Sequence, residues 1–94
     1  MENRHELKLI EGKFSPAEAR KVISDLISSK INYHNMEAFS IKERFNGDTS
    51  YSEKRIKELK EARKSLEDIV GYAAGKGLKL KVESVIEVIF IQEN

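Results

Sequence analysis

The stretch that decides the fold is LKLKVESVIEVIFI, residues 78–91. Every second position in it is apolar, with Ser84 as the one interruption of that series. Strict alternation is typical of a β-strand with one buried face. At ~3.3 Å per residue the stretch would extend about 45 Å, roughly twice the length of an ordinary strand. The pattern therefore predicts a long C-terminal strand.

A second, shorter alternation lies near the N-terminus, over His5–Glu11. Leu7 and Leu9 fall on one side of this segment and Ile10 falls on the other, with charged neighbours. We interpret it as a first strand, which Gly12 and Lys13 end. The C-terminal strand is about twice as long, so it offers more backbone hydrogen-bonding groups than its own chain can satisfy.

The clearest helix signal begins at Ser15-Pro16-Ala17-Glu18. Ser15 can act as the N-cap, Pro16 suits the first helical position, and Glu18 completes a capping box. Apolar residues then recur every three or four positions, which predicts an amphipathic helix as far as about Lys30. They are Ala19, Val22, Ile23, Leu26, Ile27 and Ile31.

A second capping box, Ser50-x-x-Glu53, predicts another long helix from Ser50 to about Ala74. The glycines of Gly75-Lys76-Gly77 provide its stop. Apolar residues mark heptad-like positions along this helix, and Arg63 occupies a gap in their series. Arg63 has two interpretations: a partner contact, or a side chain whose stem covers the core edge while its head reaches solvent or Glu67.

The middle segment, residues 31–48, is the hardest to assign. Asn32-Tyr33-His34-Asn35 has poor helix propensity and good turn chemistry. Met36–Phe45 could form a short helix or an irregular excursion, and Asn46-Gly47-Asp48 is a turn signal.

These elements predict an α+β two-layer sandwich in a single domain, residues 1–94, with the order β-α-(short helix or loop)-α-β. Two long helices joined by a turn should pack antiparallel, and the chain then returns so that the two strands run antiparallel. Both helices are expected to cover one face of this sheet, with the apolar side chains of the alternating series beneath them.

Self-association is the best functional inference from the sequence, because two strands form a poor sheet in isolation. The outer face of the sheet is expected to carry Val85, Ile89 and Ile91, with Ile10 from the first strand. These residues could form an interface in a dimer or tetramer, or they could lie beneath the middle segment. We expect a homo-oligomer with a structural or protein-interaction role, in which the long strand pairs with its copy across a two-fold axis.

The composition limits the remaining classes of function. Lys plus Arg number 17 against 16 Asp plus Glu, and there is no cysteine. Disulfides, thiolate catalysis and cysteine-based zinc sites are therefore excluded. The charge balance gives no attraction to nucleic acid, although a nucleic-acid-binding accessory protein is the second candidate. The N-terminus has no signal-peptide core and no apolar run is long enough to span a bilayer, so we expect a cytoplasmic protein without a membrane contact.

Any binding chemistry is expected in the polar middle segment. Tyr33, His34, Asn35 and Arg44 could bind a small anion, or His34 could be a turn residue that makes local hydrogen bonds. No nucleotide motif, nucleophile motif or metal-ligand spacing is recognisable. We therefore expect no cofactor and no metal, and an enzyme is the least favoured class.

Overall fold

The structure is a computed structural model and describes residues 1–93. Within that part of the chain the elements are β1 (Arg4–Phe14), α1 (Pro16–Phe45), α2 (Ser50–Lys76) and β2 (Leu80–Ile89). The two strands pair antiparallel and the two helices form a hairpin. The predicted α+β two-layer class and the order of strands and helices are confirmed. β2 is continuous through Ser84. The predicted difference in strand length is wrong, because β1 continues through Gly12 and Lys13 to Phe14 and pairs with all ten residues of β2.

Helix α1 begins as the sequence predicts but runs much further. The Ser15 hydroxyl accepts a hydrogen bond from the Glu18 amide at 3.2 Å, and the Glu18 carboxylate accepts one from the Ser15 amide at 2.9 Å. The helix is 30 residues long and ends at Phe45, and its C-cap Asn46 adopts a left-handed conformation with φ 46°. The expected break after Lys30, followed by a short helix or loop, is wrong.

Tertiary packing explains why the helix does not break there. Ile31 and His34 are buried, so the turn-prone segment lies on the face that contacts α2. In proteins most helical stability comes from the packing of such a face rather than from intrinsic propensity. Burial of these two side chains therefore overrides the poor propensity of their neighbours.

The start of α2 differs from the predicted capping box. Its N-cap is Thr49, whose side chain makes no capping hydrogen bond. The Asp48 carboxylate instead accepts hydrogen bonds from the Ser50 amide at 2.9 Å and from the Ser50 hydroxyl. At the other end Gly77 adopts φ 67° and closes the helix, so a glycine stop is confirmed about two residues later than expected.

The core lies between the two helices. Its buried centre consists of Ile27 and Ile31 from α1 with Leu66 and Val70 from α2. Partly buried apolar residues pack around that centre, and Leu80 at the start of β2 is among them. The sheet thus joins the helical core near the point where both strands meet the helices.

A β-bulge sets which strand residues share a face. Lys8 pairs with Val85, whereas Ile10 pairs with the adjacent residue Ser84, so Leu9 is an extra residue in β1. After the bulge, the alternation in β1 is shifted by one residue. Ile10 therefore lies on the same face as Ser84, and its predicted position on the outer face is wrong.

The two ends of the sheet differ in how far the helices cover them. We call Ile10–Phe14 with Leu80–Ser84 the proximal half, and Arg4–Lys8 with Val85–Ile89 the distal half. Leu80, Val82 and Ser84 are half-buried in the proximal half. In the distal half every β2 residue is exposed. The helical layer therefore lies over the proximal half only.

The protein is open and flat as a consequence. Its extents are 50 × 36 × 14 Å and its radius of gyration is 16.9 Å, against about 12 Å for a compact chain of this length. The accessible surface is 7737 Å², whereas a compact monomer of this mass exposes about 5,500 Å². The chain thus exposes roughly 2,200 Å² more than a compact monomer would. No helix within residues 1–93 has the length and apolar character needed to cross a membrane.

Candidate functional site

The distal half carries an uncovered apolar surface on its helix-side face. Leu7 and Ile86 are paired, and the alternation puts Val88 on the same face. Leu7 is 57% exposed and Val88 is 40% exposed, although both occupy positions of the face that the helices cover at the other end. Phe90, just beyond β2, is 51% exposed, and its ring meets that of His5 edge-on at 5.4 Å between centroids. We call Leu7, Ile86, Val88 and Phe90 the distal patch.

One edge of β2 has no partner strand among the described residues. The Phe90 amide donates to the Asn3 carbonyl at 2.9 Å, so Phe90 directs its backbone groups towards the N-terminal strand. Because direction alternates along an antiparallel strand, Val85, Glu87 and Ile89 direct theirs away from β1. These amides and carbonyls form an open edge beside the distal patch.

The outer face of the sheet is mainly charged. Arg4 contacts Glu87 at 3.4 Å, Lys8 contacts Glu11 at 2.8 Å, and Lys81 contacts Glu83 at 3.1 Å. These exposed pairs neutralise each other locally, so the face carries no continuous basic stripe of the kind that binds nucleic acid.

The structure separates the four residues predicted as an interface. Val85 and Ile89 lie together on the outer face, opposite Lys8 and Arg4, and both are exposed. Ile91 lies beyond the end of β2 and is also exposed. Ile10 lies on the opposite face and is half-buried. Whether any of them contacts a second copy stays a prediction.

His34 lies inside α1 rather than in a loop. The residue is 3% exposed, and its ring lies between those of Tyr33 on its own helix and Tyr51 on α2, both edge-on, with centroids 5.3 Å and 6.3 Å away. The expected loop position is wrong because α1 is continuous. A local hydrogen bond is present, since the His34 Nδ1 atom lies 3.3 Å from the Glu37 carboxylate.

Glu37 connects His34 to the second helix. The Ser52 hydroxyl donates to the same carboxylate oxygen, Oε1, at 2.7 Å. The hydrogen bond from Ser52 is the main cause that holds the pKa of Glu37 below its ordinary value, and the bond from His34 adds to it. His34, Glu37 and Ser52 thus form a polar contact between the helices, which we call the His34 cluster.

The His34 cluster contains the residue types of a catalytic triad but not its geometry. Ser52 is 1% exposed and donates to Glu37, whereas a nucleophilic serine would donate to the histidine. The Nε2 atom of His34 is buried without a hydrogen-bond partner. The arrangement therefore acts as a structural contact between α1 and α2.

Sequence reasoning missed Glu37 and Ser52. The signal was the spacing of three residues between His34 and Glu37, which puts both on one helical face. That spacing carries no information in a turn, which is the structure that the sequence predicts for this segment. Ser52 lies within the predicted capping box Ser50-x-x-Glu53, a motif that does not indicate an inward direction for its side chain.

The other predicted binding residues do not join His34. Asn35 and Arg44 line a shallow groove on the exposed side of α1, together with Met36 and Phe39. Tyr33 is 56% exposed and borders a separate depression. The four residues therefore do not converge on one anion site.

Arg63 makes a contact that neither interpretation specified. Its guanidinium donates to the Ser28 hydroxyl on α1 at 2.7 Å. Together with the ion pair between Arg20 and Glu67, at 3.0 Å, it ties the helices at the core edge. Among residues 1–93, no three histidine, aspartate or glutamate side chains are grouped closely enough to hold a metal ion.

Comparison with protein-family models, curated proteins and solved structures found no match to this chain. The distal patch and the open edge of β2 lie side by side on the part of the sheet that the helices leave uncovered. They are therefore the candidate functional site.

Proposed function

We propose that this protein is a self-associating domain with a structural or protein-interaction role. The observation that carries the proposal is the distal patch, four apolar side chains on the face of the sheet that the helices cover at its other end. Fully burying a side chain of this size contributes about 1.5–3 kcal/mol, so the patch favours association.

The size of the exposed surface supports the same proposal. The excess over a compact monomer is roughly 2,200 Å² per copy. Permanent dimers bury about 2,000–5,000 Å² in total, so the excess is enough for a stable interface. A second copy is the natural choice of partner, because other copies are present wherever the protein is made.

The test is the mass of the protein in solution, measured by light scattering and sedimentation across the micromolar range. We expect a dimer or tetramer for the natural sequence. Val88→Lys should raise the dissociation constant about tenfold or more, because it places a charge in the apolar contact. A monomer at micromolar concentration would contradict the proposal.

Phe39→Lys is the matched control. Phe39 is an apolar residue of α1 that is 68% exposed, and it is far from both strands in the sequence. We expect it to leave the dissociation constant unchanged. If Phe39→Lys lost association and Val88→Lys kept it, the interface would lie on α1 and not on the distal patch. Circular dichroism checks that both variants retain their helices.

A further inference from the structure

We infer that two copies pair through the open edges of β2, antiparallel across a two-fold axis at Ser84, and so form one four-stranded sheet. The inference rests on the proposed self-association. It specifies which strand pairs between the copies, in which register, and which element of the second copy covers the distal patch. Three properties of the ladder lead to it.

The first property is that the open edges of β1 and β2 differ in how well they can pair with a further strand. β1 contains the extra residue Leu9, and a bulge of this kind bends a strand and discourages pairing at its outer edge. β2 has ten residues in regular register, with no proline. Its outward backbone groups belong to the odd-numbered residues, which are available to a second strand. β2 is therefore the edge that can accept a partner over its full length.

The second property is the charge pattern of the outer face of β2. An axis at Ser84 places Lys81 opposite Glu87 of the second copy, twice by symmetry. An axis at Val85 would instead place Glu83 opposite Glu87. Opposite charges directly across a sheet stabilise it and like charges destabilise it. The register at Ser84 is therefore favoured by charge.

The same register matches the apolar face. It pairs Val82 with Ile86 and Leu80 with Val88 across the axis. A two-fold axis perpendicular to the sheet keeps the helix-side faces of both copies on the same side. An axis at Val82 would also pair Lys81 with a glutamate, but it would use only Leu80–Ser84, because β2 begins at Leu80. The length of the paired segment, the opposite charges and the apolar pairs therefore all favour an axis at Ser84.

The third property is the uneven cover of the ladder. Antiparallel pairing puts the proximal half of one copy beside the distal half of the other. The helical hairpin of the second copy then stands next to the distal patch of the first, and the reverse holds by symmetry. The helices of each copy thus cover the distal patch of the other copy. This arrangement accounts for the apolar face of the sheet, which the helices of its own chain cover over the proximal half only.

A single cysteine tests the register, because the chain has none of its own. Across the axis the two Ser84 residues form a non-hydrogen-bonded pair, with Cα atoms about 4.5 Å apart. That distance lies within the range that a disulfide spans. We expect Ser84→Cys to become a covalent dimer under mild oxidation, seen on a non-reducing gel.

Matched controls separate the register from random collision. In this register the Cα atoms of the two Val82 residues lie about 14 Å apart, as do those of the two Ile86 residues, so Val82→Cys alone and Ile86→Cys alone should not crosslink. A mixture of these two variants should crosslink, because Val82 faces Ile86 across the axis. Crosslinking in the single variants but not in the mixture would overturn the register.

Charge reversal gives a second, non-covalent test. Lys81→Glu should raise the dissociation constant roughly tenfold, because two glutamates then face each other twice. The double variant Lys81→Glu with Glu87→Lys should restore the natural value. An unchanged dissociation constant for Lys81→Glu would overturn the pairing of these residues.

The outcomes distinguish the inference from the proposal beneath it. A dimer in light scattering whose Ser84→Cys variant does not crosslink would overturn the Ser84 register and leave self-association standing. A monomer in light scattering at micromolar concentration would overturn both. Circular dichroism of each reduced cysteine variant shows whether the protomer has folded before it is oxidised.

Discussion

The helical hairpin and the distal half of the ladder contain the same kinds of apolar residue but bury them differently. In the hairpin, Ile27, Ile31, Leu66 and Val70 close a core between two long helices. In the distal half, Leu7 and Val88 have equivalent chemistry and no cover. The hairpin is therefore stabilised within one chain, whereas the distal half has apolar surface that no helix among residues 1–93 covers. The two regions should respond differently to the same substitution.

The largest effect is expected in the hairpin. Leu66→Ala should lower the free energy of unfolding by about 2–5 kcal/mol, because it leaves a cavity at a buried site. Urea denaturation followed by circular dichroism measures this. The loss should be almost the same at low and high protein concentration, since the contacts of Leu66 lie within one chain.

Leu7→Ala is the matched substitution in the distal half. At low concentration it should cost less than about 1 kcal/mol, because Leu7 is more than half exposed in the single chain. At high concentration the cost should grow, since association stabilises the folded state by mass action. Equal costs for Leu7→Ala at both concentrations would mean that the distal patch takes no part in association.

A smaller effect with a distinct pH dependence is expected at the His34 cluster. Ser52→Ala removes the hydrogen bond that most lowers the pKa of Glu37. A carboxyl whose pKa is lowered by folding stabilises the folded state above its unfolded pKa, and that stability is lost as the pH falls through the folded pKa. The melting temperature should therefore fall by a few degrees at neutral pH, and the difference from the natural sequence should shrink in acid.

Ser28→Ala is the control for this pH dependence. It also removes an interhelical hydrogen bond, but the partner of Ser28 is an arginine rather than a carboxylic acid. Its effect on the melting temperature should not change between neutral pH and acid. Parallel pH profiles for the two variants would show that the state of Glu37 does not control the contact.

The elements that sequence reasoning predicted correctly are those whose signals are local. The cap at Ser15, the glycine stop and the alternation of β2 each depend on residues close together in the chain. The course of residues 31–45 depends on packing against α2, which no local pattern reports. The position of Ile10 depends on one extra residue in β1, and a bulge of this kind leaves no clear sequence signal.

The candidate site was predicted less well than the fold for the same reason. The sequence showed that β2 is apolar on one face, but the prediction that β2 is too long for its own chain is wrong, because β1 pairs with all ten of its residues. It could not show that the helices stop short of the distal half, because that depends on the direction in which the ladder leaves the helical hairpin. The sequence therefore predicted an interface at Val85 and Ile89 on the outer face. It did not predict one at Leu7 and Val88 on the helix-side face.

The smallest effect is expected when the two faces of the distal half are compared. Ile89 and Val88 are adjacent in β2, are equally exposed and point to opposite faces. Ile89→Lys adds a charge to a face that already carries many, so it should raise the dissociation constant only about twofold to threefold. Val88→Lys should have a much larger effect, because in the proposed dimer its face would lie next to the helices of the second copy. Sedimentation of both variants at matched concentrations measures the ratio, and a larger effect for Ile89→Lys would move the interface to the charged face of the sheet.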